Sequence, residues 1–107
     1  MKIGIDAVKI ERIKSMDKAA LDRILTHQEQ TLQPESQAGA VAAKEAFAKA
    51  IGIMPPPWLE IELLHSKNGA PYLKLSNRLS IIAKKVELSI THEAGIAIAI
   101  VLLESGN

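Results

Sequence analysis

Asp6 interrupts the otherwise apolar opening Ile3-Gly4-Ile5-Asp6-Ala7-Val8. A carboxylate inside an apolar strand must be hydrogen-bonded, paired with a cation or bound to a metal, because leaving it bare costs on the order of several kcal/mol. A second acid, Glu45, stands in the run Ala42-Ala43-Lys44-Glu45-Ala46-Phe47-Ala48-Lys49-Ala50, which is rich in strong helix formers. Helical spacing places Ala40, Ala43, Phe47, Ala50 and Ile51 on one apolar stripe, with Lys44 inside it and Glu45 and Lys49 together on another face. Asp6 and Glu45 can meet only through the fold. If they do, two hard oxygen ligands could hold a magnesium ion against phosphates.

Each of these residues also has a plainer reading. A Glu45–Lys49 pair at i, i+4 is more often a solvated surface feature, worth about 0.2–0.5 kcal/mol. Asp6 could cap a helix or close a salt bridge at a strand end. Lys44 could pack its stem along the stripe and simply carry its ammonium to water. His92 falls in phase with Val86, Leu88 and Ile90 on one strand face, just before a turn, where a lone histidine is more often a satisfied core residue than a catalyst. Arg12, Lys14, Lys18 and Arg23 collect positive charge on the first helical region, and such a run is usually a solvated face.

The elements that would position these groups follow from local signals. Residues 2–8 read as a short strand whose apolar continuity suggests burial on both sides. Ser15 or Asp17 can cap a helix running through Leu25, and Thr26 with Glu29 has the spacing of a capping box for another short helix. Pro34 suits the first turn of a long helix that ends at Ile51, where Gly52 can supply a left-handed stop. The prolines at 55, 56 and 57 then stiffen a connection that neither a helix nor a central strand tolerates. Leu59, Ile61 and Leu63 alternate with Glu60 and Glu62 as a half-buried strand, and Ser66-Lys67-Asn68-Gly69 turns the chain into Tyr72-Leu73-Lys74-Leu75. A short helix is expected over 79–83. Glu93-Ala94-Gly95 then links the His92 strand to a last strand, 96–103, that is apolar on both faces and so is either central or covered by a neighbouring subunit.

Composition narrows the class. The 107 residues make one domain, 1–107, and one Trp, one Tyr and one Phe leave its core to aliphatic side chains. A net charge of +1 exerts no bulk pull on nucleic acid, and a nucleic-acid-binding sheet would want exposed aromatics and basic residues that this sequence does not supply. The absence of cysteine excludes disulfide and thiolate chemistry. No stretch approaches the roughly 20 apolar residues of a membrane span, and the opening lacks a long apolar leader, so a cytoplasmic protein with no membrane partner is expected.

Taken in order, several pieces run along nearly the whole chain: Gly4-Ile5-Asp6 with Glu11-Arg12-Ile13, Arg23-Ile24-Leu25-Thr26, Ala38-Gly39 with the helix run around Glu45, Asn68-Gly69 with Pro71-Tyr72-Leu73, and Leu88-Ser89-Ile90-Thr91-His92. Their order and spacing resemble the holo-acyl-carrier-protein synthases, the small bacterial phosphopantetheinyl transferases. The resemblance implies an α+β domain of the 4′-phosphopantetheinyl transferase fold, a helical first half packed on a largely antiparallel sheet. It implies magnesium-dependent transfer of 4′-phosphopantetheine from coenzyme A to a serine of apo-acyl carrier protein, with release of adenosine 3′,5′-bisphosphate, in the service of fatty acid biosynthesis. Carried over residue by residue, Asp6 and Glu45 are the magnesium ligands and Glu45 and Lys49 the catalytic residues. Lys44, Asn68, Gly69, Pro71 and His92 contact coenzyme A, with Lys44 and His92 at the phosphates and the hairpin beside the adenine. Arg12 and Arg23 meet the acidic carrier protein, whose own serine is the nucleophile. A homotrimer with sites between subunits is also implied, which suits the apolar last strand.

Three departures stand against these matches. Ala40-Val41 occupies the place where the family commonly has Arg-Phe, Ile53-Met54-Pro55 replaces the usual Gly-Thr-Gly segment, and Ala70 replaces a lysine between the glycine and proline of the hairpin. Each removes a phosphate contact or a flexible loop. They keep open the alternative of a non-catalytic paralogue that binds coenzyme A or a carrier protein without turning it over.

Overall fold

The computed structural model describes residues 1–106, and its elements begin and end where the sequence supplies local reasons. Strand β1 (Lys2–Lys9) runs into a short helix α1 (Ile10–Lys14), followed by α2 (Lys18–Ile24). Asp17 starts α2, its Oδ1 accepting from Ala20 N at 2.9 Å. Thr26 and Glu29 form the reciprocal capping box: Thr26 N donates to Glu29 Oε1 at 2.9 Å and Glu29 N to Thr26 Oγ1 at 3.2 Å. The element they open is only a 3₁₀ turn, Glu29–Thr31. The long helix α3 (Pro34–Ile51) has proline in its first turn and ends at Gly52, whose φ of 76° a β-carbon would resist.

A second 3₁₀ turn (Trp58–Glu60) precedes β2 (Ile61–His65) and β3 (Pro71–Leu75); then come α4 (Asn77–Ile82), β4 (Ala83–Glu93) and β5 (Ile96–Ser105). The architecture is α+β, and the strands form two antiparallel sheets rather than one, a three-stranded β1-β5-β4 and the β2-β3 hairpin. Strand β5 is central. Gln37 to Ala50 of α3 lie across β1, β5 and β4, with α1 and β2 packed on other sides. Alanines make this close approach possible: Ala97 and Ala99 of β5 share one buried core with Ala42, Ala43, Ala46 and Ala50 of the helix.

Two expectations are corrected here. Helix α3 is not an amphipathic helix with one apolar stripe; between Gln37 and Ala50 every residue is buried except Glu45 and Lys49, because sheet, hairpin and α1 enclose it. Strand β1 is not buried on both sides. Gly4 and Val8 face the helix, whereas Ile3 and Ile5 remain 61% and 57% exposed on the opposite face of the single chain. Strand β5 shows the same division, with Ala97, Ala99, Val101 and Leu103 buried and Ile96, Ile98, Ile100 and Leu102 only half-buried. Among the described residues no helix is long and apolar enough to cross a membrane.

Candidate active site

The two carboxylates meet where Glu45 and Lys49 interrupt the buried stretch Gln37 to Ala50 of the helix. Asp6 pairs in register with Ala99, whose side faces the helix, so β1 presents its carboxylate to α3. Gly4 makes this possible. A β-carbon there would lie 1.9 Å from the Ala46 carbonyl oxygen and 3.1 Å from the Ala50 nitrogen, so only glycine lets β1 touch the helix backbone beside Glu45 and Lys49. Lys49 Nζ donates to Asp6 Oδ1 at 2.8 Å and to the Ile5 carbonyl at 3.1 Å. Arg12, from α1, donates through one guanidinium nitrogen to Glu45 Oε1 at 3.2 Å. The acids lie inside and the cations outside: the Asp6 and Glu45 side chains are 14% and 18% exposed, and those of Lys49 and Arg12 48% and 47%.

Burial raises the pKa of Glu45 above the ordinary carboxylate value, and the neighbouring Asp6 raises it further; Arg12 opposes both. Two acids sharing one recess in this way repel each other when both are ionised, and a divalent cation relieves that repulsion. No cluster of three or more histidine, cysteine or acidic side chains exists among the described residues. A two-carboxylate set fits magnesium, which keeps several waters and takes further oxygens from phosphates.

Lys44 is corrected. It is fully buried, and its ammonium donates to Glu29 Oε1 at 2.6 Å and to the Ile24 carbonyl at 2.8 Å. Glu29 is equally buried and also accepts from Leu63 N at 2.7 Å through Oε2. Desolvation lowers the Lys44 pKa, against the opposing pull of Glu29. This ion pair ties the 24–29 segment, β2 and α3 together, so Lys44 has no ammonium to offer a phosphate. Ala40 is also fully buried, so the missing cation at that position is absorbed by the core rather than leaving a vacant phosphate contact.

The residues expected at the nucleotide gather elsewhere. Gly69 and Pro71 of the hairpin, His92 of β4 and Gly39 of α3 line one hollow of about 190 Å³, with His65 and Ile90 in its wall. His92 Nε2 lies 3.0 Å from the Glu35 carbonyl. A carbonyl oxygen only accepts, so in this bond His92 Nε2 is the donor. Asn68 does not line the hollow; its Oδ1 accepts from Ala70 N at 3.0 Å and shapes the turn. His92 pairs with Ala97 and Asp6 with Ala99, so the hollow and the carboxylates share the helix-facing side of the sheet, two strands apart. Arg23 is exposed in the last turn of α2 and is not drawn into the site.

Sequence reasoning brought Asp6, Glu45 and Lys49 forward but missed three supports. Gly4 could have been suspected from a glycine inside a strand pattern, and Glu29 from a capping acid able to turn inward. Nothing in the spacing announced Arg12 as the partner of Glu45.

Acids recessed beside exposed cations thus share the helix-facing side of the sheet with a hollow lined by glycine, proline and histidine. A family model described as the 4′-phosphopantetheinyl transferase superfamily matches residues 2–101, and the chain belongs to that superfamily. Within it, the chain is 40% identical to the holo-[acyl-carrier-protein] synthase of Campylobacter hominis, across 95% of this chain and 96% of that relative. The crystal structure of Helicobacter pylori holo-[acyl-carrier-protein] synthase in complex with coenzyme A superposes with a TM-score of 0.86 at 34% identity, covering 95% of this chain and 99% of the other. A holo-(acyl-carrier-protein) synthase from Bacillus anthracis, in complex with CoA (3′,5′-ADP), gives a TM-score of 0.81 at 36% identity, covering 97% and 96%.

Proposed function

We propose that this chain transfers 4′-phosphopantetheine from coenzyme A to a serine of apo-acyl carrier protein. The observation that carries the reading is the recessed Asp6–Glu45 pair where the buried stretch of the helix opens, faced by Lys49 and Arg12. In the reaction the serine hydroxyl gives up its proton, its oxygen bonds to the phosphorus bearing the pantetheine arm, the pyrophosphate P–O bond breaks, and adenosine 3′,5′-bisphosphate leaves, with one proton released overall. Asp6 and Glu45 would hold magnesium, which when bound neutralises pyrophosphate charge as it shifts toward the leaving group. Lys49 adds a positive charge beside the same carboxylates. His92, Gly69 and Pro71 hold the nucleotide end in their hollow, and Asn68 acts by shaping that hairpin. Arg12 and Arg23 offer exposed cations to the acidic carrier.

A homotrimer belongs to the same reading. Ile3 pairs with Leu102 and Ile5 with Ile100, making a continuous apolar band on the uncovered face of the sheet that a neighbouring copy would bury. The cytoplasm is the compartment proposed for it. Mass spectrometry of apo-carrier protein incubated with the chain, coenzyme A and magnesium tests the transfer directly. The expected result is a mass gain of one phosphopantetheine group on the carrier, lost on chelation. A carrier left unmodified while coenzyme A still binds would support the non-catalytic alternative instead.

A further inference from the structure

Arg12 touches Glu45 from a different element than any other site residue. The contact runs through one guanidinium nitrogen at 3.2 Å, with the arginine side chain 47% exposed, and an ion pair so open to solvent contributes little. Lys49 sits on α3 itself and is anchored by a second bond to the Ile5 carbonyl. Arg12 sits on α1, a helix of five residues at the surface, with Lys9 and Lys14 exposed nearby. Its side chain is half in solvent, and the guanidinium has five N–H donors, of which one nitrogen is engaged by Glu45. The same cation therefore belongs to the outer basic surface and to the recessed acid.

We propose that Arg12 is an internal competitor for the magnesium site: it occupies Glu45 when the chain is alone, and an acidic partner surface that draws it outward opens Glu45 to the metal. This rests on the reading of Asp6 and Glu45 as the magnesium pair. Arg12 is on this view a positioning residue with two exclusive partners, and carrier binding and magnesium binding are positively coupled through it. Coupling of this kind is reciprocal, so magnesium must tighten carrier binding by the same factor by which the carrier tightens magnesium binding. The arrangement keeps the site from holding its metal firmly until the acceptor is present.

The test is titration calorimetry of magnesium into the full chain without carrier or coenzyme A, comparing wild type, Arg12→Gln and Glu45→Gln. Losing a half-exposed competing pair should tighten magnesium binding by Arg12→Gln about two- to fivefold, whereas Glu45→Gln should weaken it severely. A second titration, with apo-carrier protein, should show tighter binding to wild type when magnesium is present and no such magnesium effect for Arg12→Gln. Glu45→Gln, its Arg12 already free, should bind the carrier without magnesium as tightly as wild type does with it. Unchanged or weakened magnesium binding by Arg12→Gln, with binding lost in Glu45→Gln, would overturn the competition while leaving the metal pair intact. Wild-type magnesium affinity in Glu45→Gln would overturn the metal pair and the competition together.

Discussion

Replacing Gly4 by alanine should cripple the site without touching a single reacting group. The new β-carbon would lie 1.9 Å from the Ala46 carbonyl oxygen, 2.9 Å from its carbon and 3.1 Å from the Ala50 nitrogen. All three are backbone atoms, so no rotamer change relieves the overlap. Restoring an ordinary C···O contact of about 3.3 Å requires β1 and α3 to separate by roughly 1.4 Å. Strand β1 is paired with β5 along all eight residues, so the strain falls on the strand–helix packing. Gly4 is not at positive φ, and the cost is therefore steric alone. Overpacking of this kind costs about 1–3 kcal/mol, which at roughly 4–8 °C per kcal/mol for a domain near this size lowers Tm by about 4–24 °C. Asp6 lies two residues along the strand, and Glu45 and Lys49 each adjoin one of the displaced residues, so the separation reaches the site almost undiminished. A misplacement of about 1 Å at a reacting centre can cost about 100-fold in rate. Holo-carrier formation, followed by mass spectrometry well below the variant's Tm, should show a kcat/KM loss of that order. Wild-type turnover together with wild-type Tm would refute the argument that glycine is required for β1 to reach the helix.

Other substitutions probe the remaining parts. Asp6→Asn and Glu45→Gln should each lower turnover by orders of magnitude with circular dichroism unchanged, and near-normal turnover at limiting magnesium would remove them from the metal site. The raised Glu45 pKa has a signed consequence. Above the ordinary value of 4.5 the folded chain keeps a proton that the unfolded chain has released, so metal-free stability falls as pH rises through that window. Thermal melts should therefore show Glu45→Gln gaining on wild type as pH rises above that value, with saturating magnesium reversing the order; a constant difference across pH would contradict the shift. Lys44→Met should cost about 3–5 kcal/mol in urea denaturation by leaving Glu29 buried without its cation, and the double variant Glu29→Gln/Lys44→Met should recover much of it. Equal losses in the single and double variants would mean the pair does not act as a unit. Light scattering should report a trimer, and Ile5→Lys, placed in the middle of the uncovered apolar band, should shift it toward monomer.

Much of the fold was legible because its determinants are short-range. The Asp17 cap, the Thr26–Glu29 box, the proline start and glycine end of α3, and the Asn68-Gly69 and Ala94-Gly95 turns all act within a few residues, so side-chain chemistry next to a hydrophobic run is enough to read them. Asp6, Glu45 and Lys49 also stood out, as charges placed against an apolar pattern and in positions matching a family. What each charge would meet was not legible. Lys44 and Lys49 are five residues apart on one helix, yet Lys44 ends in the core on Glu29 and Lys49 at the window on Asp6. Periodicity gives their directions around the helix axis but not what surrounds the helix on each side. Here the hairpin, the sheet and α1 close over Gln37 to Ala50 except at Glu45 and Lys49, and Glu29 turns inward to Lys44 while Arg12 reaches across to Glu45. The sequence thus determined the elements and nominated the acids, through local hydrogen bonding and hydrophobic pattern. Only the tertiary structure decided their partners, because burial and charge pairing depend on segments brought together from across the chain.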